Sequence, residues 1–178
     1  MNRYSVIAHF GYRSSLNCHK ALNRLNEIVK EGHTRCIIKT DIKKYFDSIN
    51  HKQLLEFLAV TIKDKYFLMY INRFLKHKKI SCKGKETFNK IGIAQGNLFS
   101  PIIGNIYLHY VLDSWFNTNV KPAFNAELIR YCDDLIICLN SIEDAILVKQ
   151  IVSDRIVEFG LELEENKTDI TPFGMPRF

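Results

Sequence analysis

Three aspartates stand where a charge is expensive. Asp41 follows the apolar run Cys36-Ile37-Ile38, and the adjacent pair Asp133-Asp134 lies between the apolar runs 128–131 and 135–139. A carboxylate at the edge of an apolar strand is costly unless something pairs with it. Hard cations such as Mg²⁺ prefer such oxygens and keep several waters, which leaves room for substrate phosphates. Two such ions about 4 Å apart activate one oxygen and stabilise the leaving one. Neighbouring strand residues face opposite ways, but in a tight turn one aspartate of the pair can be aimed forward with Asp41. The plainer alternative is that Asp-Asp favours a turn and that Asp41 with Asp47 marks a helix entry.

Periodicity predicts the elements that must position these acids. Cys18, Ala21, Leu22, Leu25, Ile28 and Val29 keep a helical period, with Ser15 as cap and Gly32 as stop. Residues 36–38 predict a short buried strand that delivers Asp41. After Asn50, one helical stretch carries Leu54, Leu55 and Leu58, and a second carries Phe67, Leu68, Ile71, Phe74 and Leu75. Residues 80–91, with Lys83-Gly84-Lys85 at their middle, predict a hairpin with a basic tip. Ser100-Pro101 predicts a helix start, Ser100 capping, and the helix runs to about Phe116. The acidic pair predicts strand, tight turn, strand. Ser141 with Asp144 opens another helix that Gly160 ends, and residues 161–171 return extended. From Cys36 onward this order predicts an α+β fold, a βαββαβ split sheet with helices packed on one face. An N-terminal helix and a basic helix-hairpin insertion complete it.

The 178 residues, 47% hydrophobic and 25% charged, predict one globular domain with a real core. Net charge is +6, and the stretch 63–90 alone carries +7, so the remainder sums to −1. Charge so concentrated argues for a polyanionic partner more than for general solubility. Tyr66, Phe67, Tyr70, Phe74 and Phe88 interleave with these lysines. Periodicity sends Phe67 and Phe74 to the core, so most of the rings read as packing and not as base-stacking platforms. No apolar segment follows Met1-Asn2-Arg3, and no run approaches the roughly 20 residues of a spanning helix. A cytoplasmic protein without a membrane partner is expected. Cys18, Cys36, Cys82, Cys132 and Cys138 form no C-x-x-C pair, and their odd count suits reduced thiols.

Several segments together resemble the reverse transcriptases. Asp41-Ile42-Lys43-Lys44-Tyr45-Phe46-Asp47 resembles the first palm motif of that family. The run from Gly92 through Gln95-Gly96 to Ser100-Pro101 resembles the second, with its G-x-x-Q-G-x-x-x-S-P core. Arg130-Tyr131-Cys132-Asp133-Asp134 is similar to the Y-x-D-D signature, and Gly160-Leu161-Glu162-Leu163 through Lys167-Thr168 to the element that follows it. Phe10-Gly11-Tyr12-Arg13 with Cys18-His19-Lys20-Ala21-Leu22 resembles the segment before the first aspartate in the bacterial group II intron and retron-type enzymes.

The resemblance implies an RNA-directed DNA polymerase palm spanning 1–178, with partial fingers-side elements at 1–33 and 63–90 and no thumb. Asp41, Asp133 and Asp134 would be its catalytic and metal-binding triad, holding two Mg²⁺ ions for which Mn²⁺ could substitute. Phe46 falls where the family places a steric gate against a ribose 2′-hydroxyl, and Gln95 and Gly96 would lie against the incoming nucleotide. Lys167 matches the position assigned to protonating the pyrophosphate. Arg13, Arg73, Lys76, Lys78, Lys79, Lys83 and Lys85 are the expected nucleic-acid contacts. The implied partners are an RNA template, a DNA primer, dNTPs, and a fingers or thumb polypeptide or a structured RNA. Arg13-Ser14-Ser15-Leu16-Asn17 departs from the Arg-Pro-Gly-Arg-Ser run usual in the intron enzymes. Lacking the upstream fingers element, the chain alone is expected to show weak or no processive synthesis. The rival reading is a degenerate nucleic-acid-binding module that keeps the palm and does no chemistry.

Overall fold

A computed structural model of the chain describes residues 9–76, 78–80, 86–88, 91–94, 96 and 98–173, with the side chains of 78–80 and 86–88 left out. Along the chain come α1 (Cys18–Lys30), β1 (Cys36–Thr40), α2 (Tyr45–Ser48), α3 (His51–Thr61) and α4 (Lys65–Leu75). The short strands β2 (Lys78–Ile80) and β3 (Glu86–Phe88) pair as an antiparallel hairpin. Next is α5 (Ser100–Leu108), prolonged by π-helical turns at His109–Asp113 and Phe116–Val120 into α6 (Lys121–Phe124). β4 (Glu127–Tyr131), β5 (Asp134–Leu139), α7 (Ile142–Val157), a 3₁₀ turn (Glu165–Lys167) and β6 (Asp169–Pro172) complete it.

Four strands form one antiparallel sheet in the order β4-β5-β1-β6. With α7 between β5 and β6, and the helices α2 to α6 between β1 and β4, this is the expected split βαββαβ arrangement. Strand alternation divides the sheet into two faces. Cys36, Ile38, Leu135, Ile137, Leu139 and Leu128 join the main core with residues of α3, α4, α5 and α7. Ile37, Ile136, Cys138 and Ile129 face the other way, where Ala21 and Ile28 of α1 cover them together with Phe10. The N-terminal helix therefore lies on the side opposite the other packed helices.

Local chemistry moved several boundaries. Asn17, not Ser15, caps α1: its side chain accepts from the Lys20 N–H, while Ser15 sits at φ 65° in the turn before it. Ser100 is not a cap either. It is already helical, and its hydroxyl donates to the Ala94 carbonyl at 2.6 Å, tying the preceding loop to the helix start. The helical path continues well past Phe116 to Phe124 because the π turns absorb a change of phase. The hairpin begins at Lys78 and not at Ile80, and its tip lies outside the described residues. The stretch after Gly160 is not continuously extended, since the 3₁₀ turn interrupts it. Phe67 does not enter the core and is 48% exposed, whereas Ile71 and Leu75 are buried and Phe74 packs against them.

The interior of this fold holds an arginine. Arg130 of β4 is fully buried on the main-core face, and its Nε and Nη2 donate to the two carboxylate oxygens of Asp113 at 2.8 and 2.6 Å. Nη1 donates to Asn105 Oδ1 at 2.9 Å and to the Cys132 carbonyl at 2.7 Å. Asn105 in turn donates to the Gly11 carbonyl at 2.7 Å, so one guanidinium joins the helix after Ser100, the β4–β5 turn and the N-terminal segment. Burial works against the Asp113 charge, but Arg130 outweighs it and holds that carboxyl below its ordinary range. Arg130→Leu strands a buried carboxylate and is expected to cost about 3–5 kcal/mol in urea unfolding, part of it recovered by adding Asp113→Leu. A loss below about 1 kcal/mol would show that the pair does not hold the fold.

Candidate active site

β1 ends at Thr40, whose cross-strand partner is Leu135, so Asp41 comes level with the start of β5. Tyr131 pairs with Asp134, leaving Cys132-Asp133 as a two-residue turn. Cys132 has φ 58°, the left-handed backbone that a tight hairpin requires at its first turn residue. Gly11 backs this turn so closely that a Cβ there would stand 2.6 Å from Cys132 Sγ and 2.9 Å from its nitrogen. Only a glycine lets the N-terminal segment approach so near. The turn is thus fixed from behind by Gly11 and from within by Arg130.

Asp41 is held from its other flank. The Glu164 N–H donates to the Asp41 carbonyl, the Lys43 N–H to the Glu162 carbonyl, and Ile42 bridges Leu163. Thr40 and Thr168 hydroxyls meet at 2.7 Å. This seating brings Lys167 Nζ to 2.6 Å from Asp41 Oδ2, while Asp41 Oδ1 is buried without a hydrogen-bond partner. The contact with Asp41 raises the Lys167 ammonium above its usual range. Asp133 is half-buried, and burial pushes its carboxyl up, helped by the charges of Asp41 and Asp134. Asp133 and Asp134 do face different ways. Asp133 lines a cavity of about 440 Å³ with Phe46, Gly96, Tyr12, Leu98 and Cys132. Asp134 is exposed and borders a groove beneath α1 with Leu22, Lys39 and Tyr131.

Phe46 reaches the cavity from α2, which starts after Lys44 at φ 44°. The second glycine-flanked segment runs alongside: Ile93 N–H donates to the Phe46 carbonyl at 2.7 Å and Gly92 N–H to Ile49 at 2.8 Å. Gly92 has φ 90°, and a Cβ there would meet the Asp47 carbonyl at 2.9 Å. The loop toward Gly96 is thereby docked on the α2 segment, although Gln95 itself lies outside the described residues. Burial pushes the Cys132 thiol up to about 11, so it stays protonated.

Among the described residues, Arg13, Arg73 and Lys76 do not line this cavity. Arg73 and Lys76 are exposed at the end of α4, and Lys78 and Lys79 lie on β2. Lys83 and Lys85 fall outside the described residues. Arg13 lines a separate cavity of about 740 Å³ with His9, Phe57 and Tyr110. Ligand atoms of His9, His109 and Asp113 do come within 4.8 Å of one another. Both Asp113 oxygens there already accept from Arg130, whose charge opposes a cation, so the orphaned Asp41 oxygen is the better metal position. Motif reading missed the positioning residues Asn105 and Asp113. The signal for them was Arg130 itself, an arginine inside an apolar strand, which must have a buried partner.

The raised Asp133 carboxyl carries a sign that can be measured. Its folded pKa lies above the unfolded value, so its contribution to stability is complete below about pH 4 and is lost as pH rises through the folded value. Asp133→Asn, which cannot ionise, is expected to unfold at higher urea than the native chain at pH 7. The difference should shrink toward about pH 4. An Asn variant equally or less stable at pH 7 would contradict the assigned repulsion.

This chain is similar to known proteins. The family model described as reverse transcriptase (RNA-dependent DNA polymerase) matches residues 7–173. A putative COX1/OXI3 intron 1 protein of Saccharomyces cerevisiae is 26% identical over 90% of this chain, which spans 25% of that relative. The group II intron-encoded protein LtrA of Lactococcus lactis subsp. cremoris is 34% identical over 70% of the chain, and 20% of its own length is covered. Apo telomerase from Candida Tropicalis, truncated from its C-terminal domain, superposes with a TM-score of 0.69 at 19% identity. That likeness covers 96% of this chain and 37% of the telomerase, and it shows a shared fold. No described helix is long and apolar enough to cross a membrane. With its split sheet and acidic turn inside a match that runs nearly end to end, the chain belongs to the reverse transcriptase family.

Proposed function

We propose that residues 1–178 form the catalytic palm of an RNA-directed DNA polymerase, with fingers-side elements at 1–33 and 63–90. The primer 3′-hydroxyl attacks the α-phosphorus of a dNTP paired to an RNA template, and pyrophosphate leaves. The observation that carries this reading is the acidic pair of Asp41 and Asp133: one oxygen buried without a partner, one carboxyl destabilised by its neighbours. Such an arrangement is unfavourable in itself and suits oxygen-ligated divalent cations. Asp41 and Asp133 would hold Mg²⁺, with Asp134 at their margin and Mn²⁺ as substitute. When bound, the metal supplies Lewis-acid stabilisation of charge on the reacting phosphate oxygens.

The protein's own groups supply the rest. Phe46 forms one wall of the cavity beside Asp133, in position to press against the sugar of a nucleotide bound there. Gly96 lines the same cavity as Phe46, and Gln95, its neighbour in sequence, would lie with it against the incoming nucleotide. Lys167 neutralises Asp41 and is a poor acid while so paired. Once freed from that carboxylate it becomes the proton donor for the leaving pyrophosphate. The rival reading, a binding module without chemistry, draws on the same ion pair, because Lys167 closes the acidic site without a metal.

Single-nucleotide addition to a primer on an RNA template separates the two. Addition is expected to require Mg²⁺ or Mn²⁺, and Asp41→Ala and Asp133→Ala should each lower it at least about a hundredfold. Activity that survives Asp133→Ala would overturn the polymerase reading. Template binding without any addition, by the native chain, would favour the module.

A further inference from the structure

The outward face of α4 is not covered. Tyr66 and Tyr70, one helical turn apart, are 76% and 62% exposed, and Phe67 beside them is 48% exposed. Arg73 lies on the same stripe, with its guanidinium carbon 5.9 Å from the centre of the Tyr70 ring. That contact keeps a cation against the ring and braces it. Asp64 caps the helix by accepting from the Tyr66 and Phe67 N–H groups, which fixes the backbone that carries both rings. The inward face is anchored by Ile71 and Leu75, and Phe74 meets Phe99 edge-on at 5.4 Å. That contact joins α4 to Phe99, the residue before Ser100.

The geometry points to α4 as a stacking platform for an unpaired nucleic-acid strand, with Tyr66 and Tyr70 taking base faces and Arg73 a phosphate. Charge chooses this occupant over a protein: the segment 63–90 carries +7 while the rest of the chain is nearly neutral. Exposed rings interleaved with cations are what sequence-tolerant single-strand binding uses, because every base offers a π face. A duplex keeps its bases stacked on one another and could use only the cations. The proposal rests on the polymerase reading solely for the identity of the strand, which would be the template ahead of the site.

The test uses the 178-residue chain and two probes, oligo(A) RNA and an RNA–DNA duplex of equal length. Tyr66→Ala combined with Tyr70→Ala should weaken oligo(A) binding at least about tenfold and leave duplex binding and the salt slope unchanged. Arg73→Gln should lower the salt slope by about one unit. Both side chains are exposed, so an unchanged urea midpoint certifies the fold of the variants. Equal losses on oligo(A) and duplex, or no loss on oligo(A), would overturn the proposal. So would concentration-dependent dimerisation that the tyrosine pair of substitutions abolishes, which would assign the face to self-association. Ring-dependent oligo(A) binding by a native chain that adds no nucleotide would count against the polymerase reading alone.

Discussion

The Arg130–Asp113 pair is the constraint on which the rest of this structure depends. An isolated buried ion pair is weak support for a fold, because desolvation cancels much of its attraction. Here the geometry removes most of that objection. The guanidinium meets the carboxylate at both oxygens and spends another nitrogen on Asn105 and the Cys132 carbonyl. Directly and through Asn105 it ties the helix after Ser100, the β4–β5 turn and the N-terminal segment together, so the pair specifies their mutual position and not merely their burial. The carbonyl of Cys132 precedes Asp133 directly, and the placement of that acid is set by a hydrogen bond from the core.

That rigid support is needed because the site opposes its own formation. Asp133 carries a carboxyl destabilised by burial and by Asp41 and Asp134, and Asp41 keeps one oxygen without a donor. A softer turn would relieve both by swinging the acids apart into water. Gly11 packed against Cys132, and the Glu164 and Leu163 contacts on the Asp41 side, close those escape routes. Lys167 relieves part of this by pairing with Asp41, and it is exposed and therefore easily displaced.

Much of this was legible in the residues. The strand that delivers Asp41, the two-residue turn that carries Asp133, and α7 between Ser141 and Gly160 follow from short apolar runs and capping chemistry. The α1 cap was misread because Ser15 and Asn17 are both capping residues, and the left-handed backbone at Ser15 decides between them. The length of the helix after Ser100 was hidden because π turns break the 3.6-residue period. Phe67 was assigned to the core because periodicity counts apolar residues, whereas on α4 the positions of Ile71 and Leu75 set the buried stripe and leave the rings outside. The side-chain partners of Arg130 come from residues 105 and 113, and no spacing rule links positions so far apart.

On the proposed reading a polyanion must be brought to an acidic cluster, an electrostatic problem that the layout of charge would answer. Cations placed inside the cavity would pair with Asp41 and Asp133 and close it, as Lys167 already does on one side. Cations placed far away would be screened, since attraction between exposed charges fades over about 8–10 Å at ordinary salt. The chain instead gathers its basic excess in the stretch 63–90, of which Arg73 and Lys76 are described and do not line the cavity. Phe74 against Phe99 joins that insertion to the segment leading into Ser100, and Ser100 bonds back to Ala94 beside Phe46. A strand held on the outer face of α4 would thus be fixed relative to the cavity by packed side chains. On the proposed reading, the acids would keep the reacting centre for cations, and the insertion would supply the attraction for the nucleic acid.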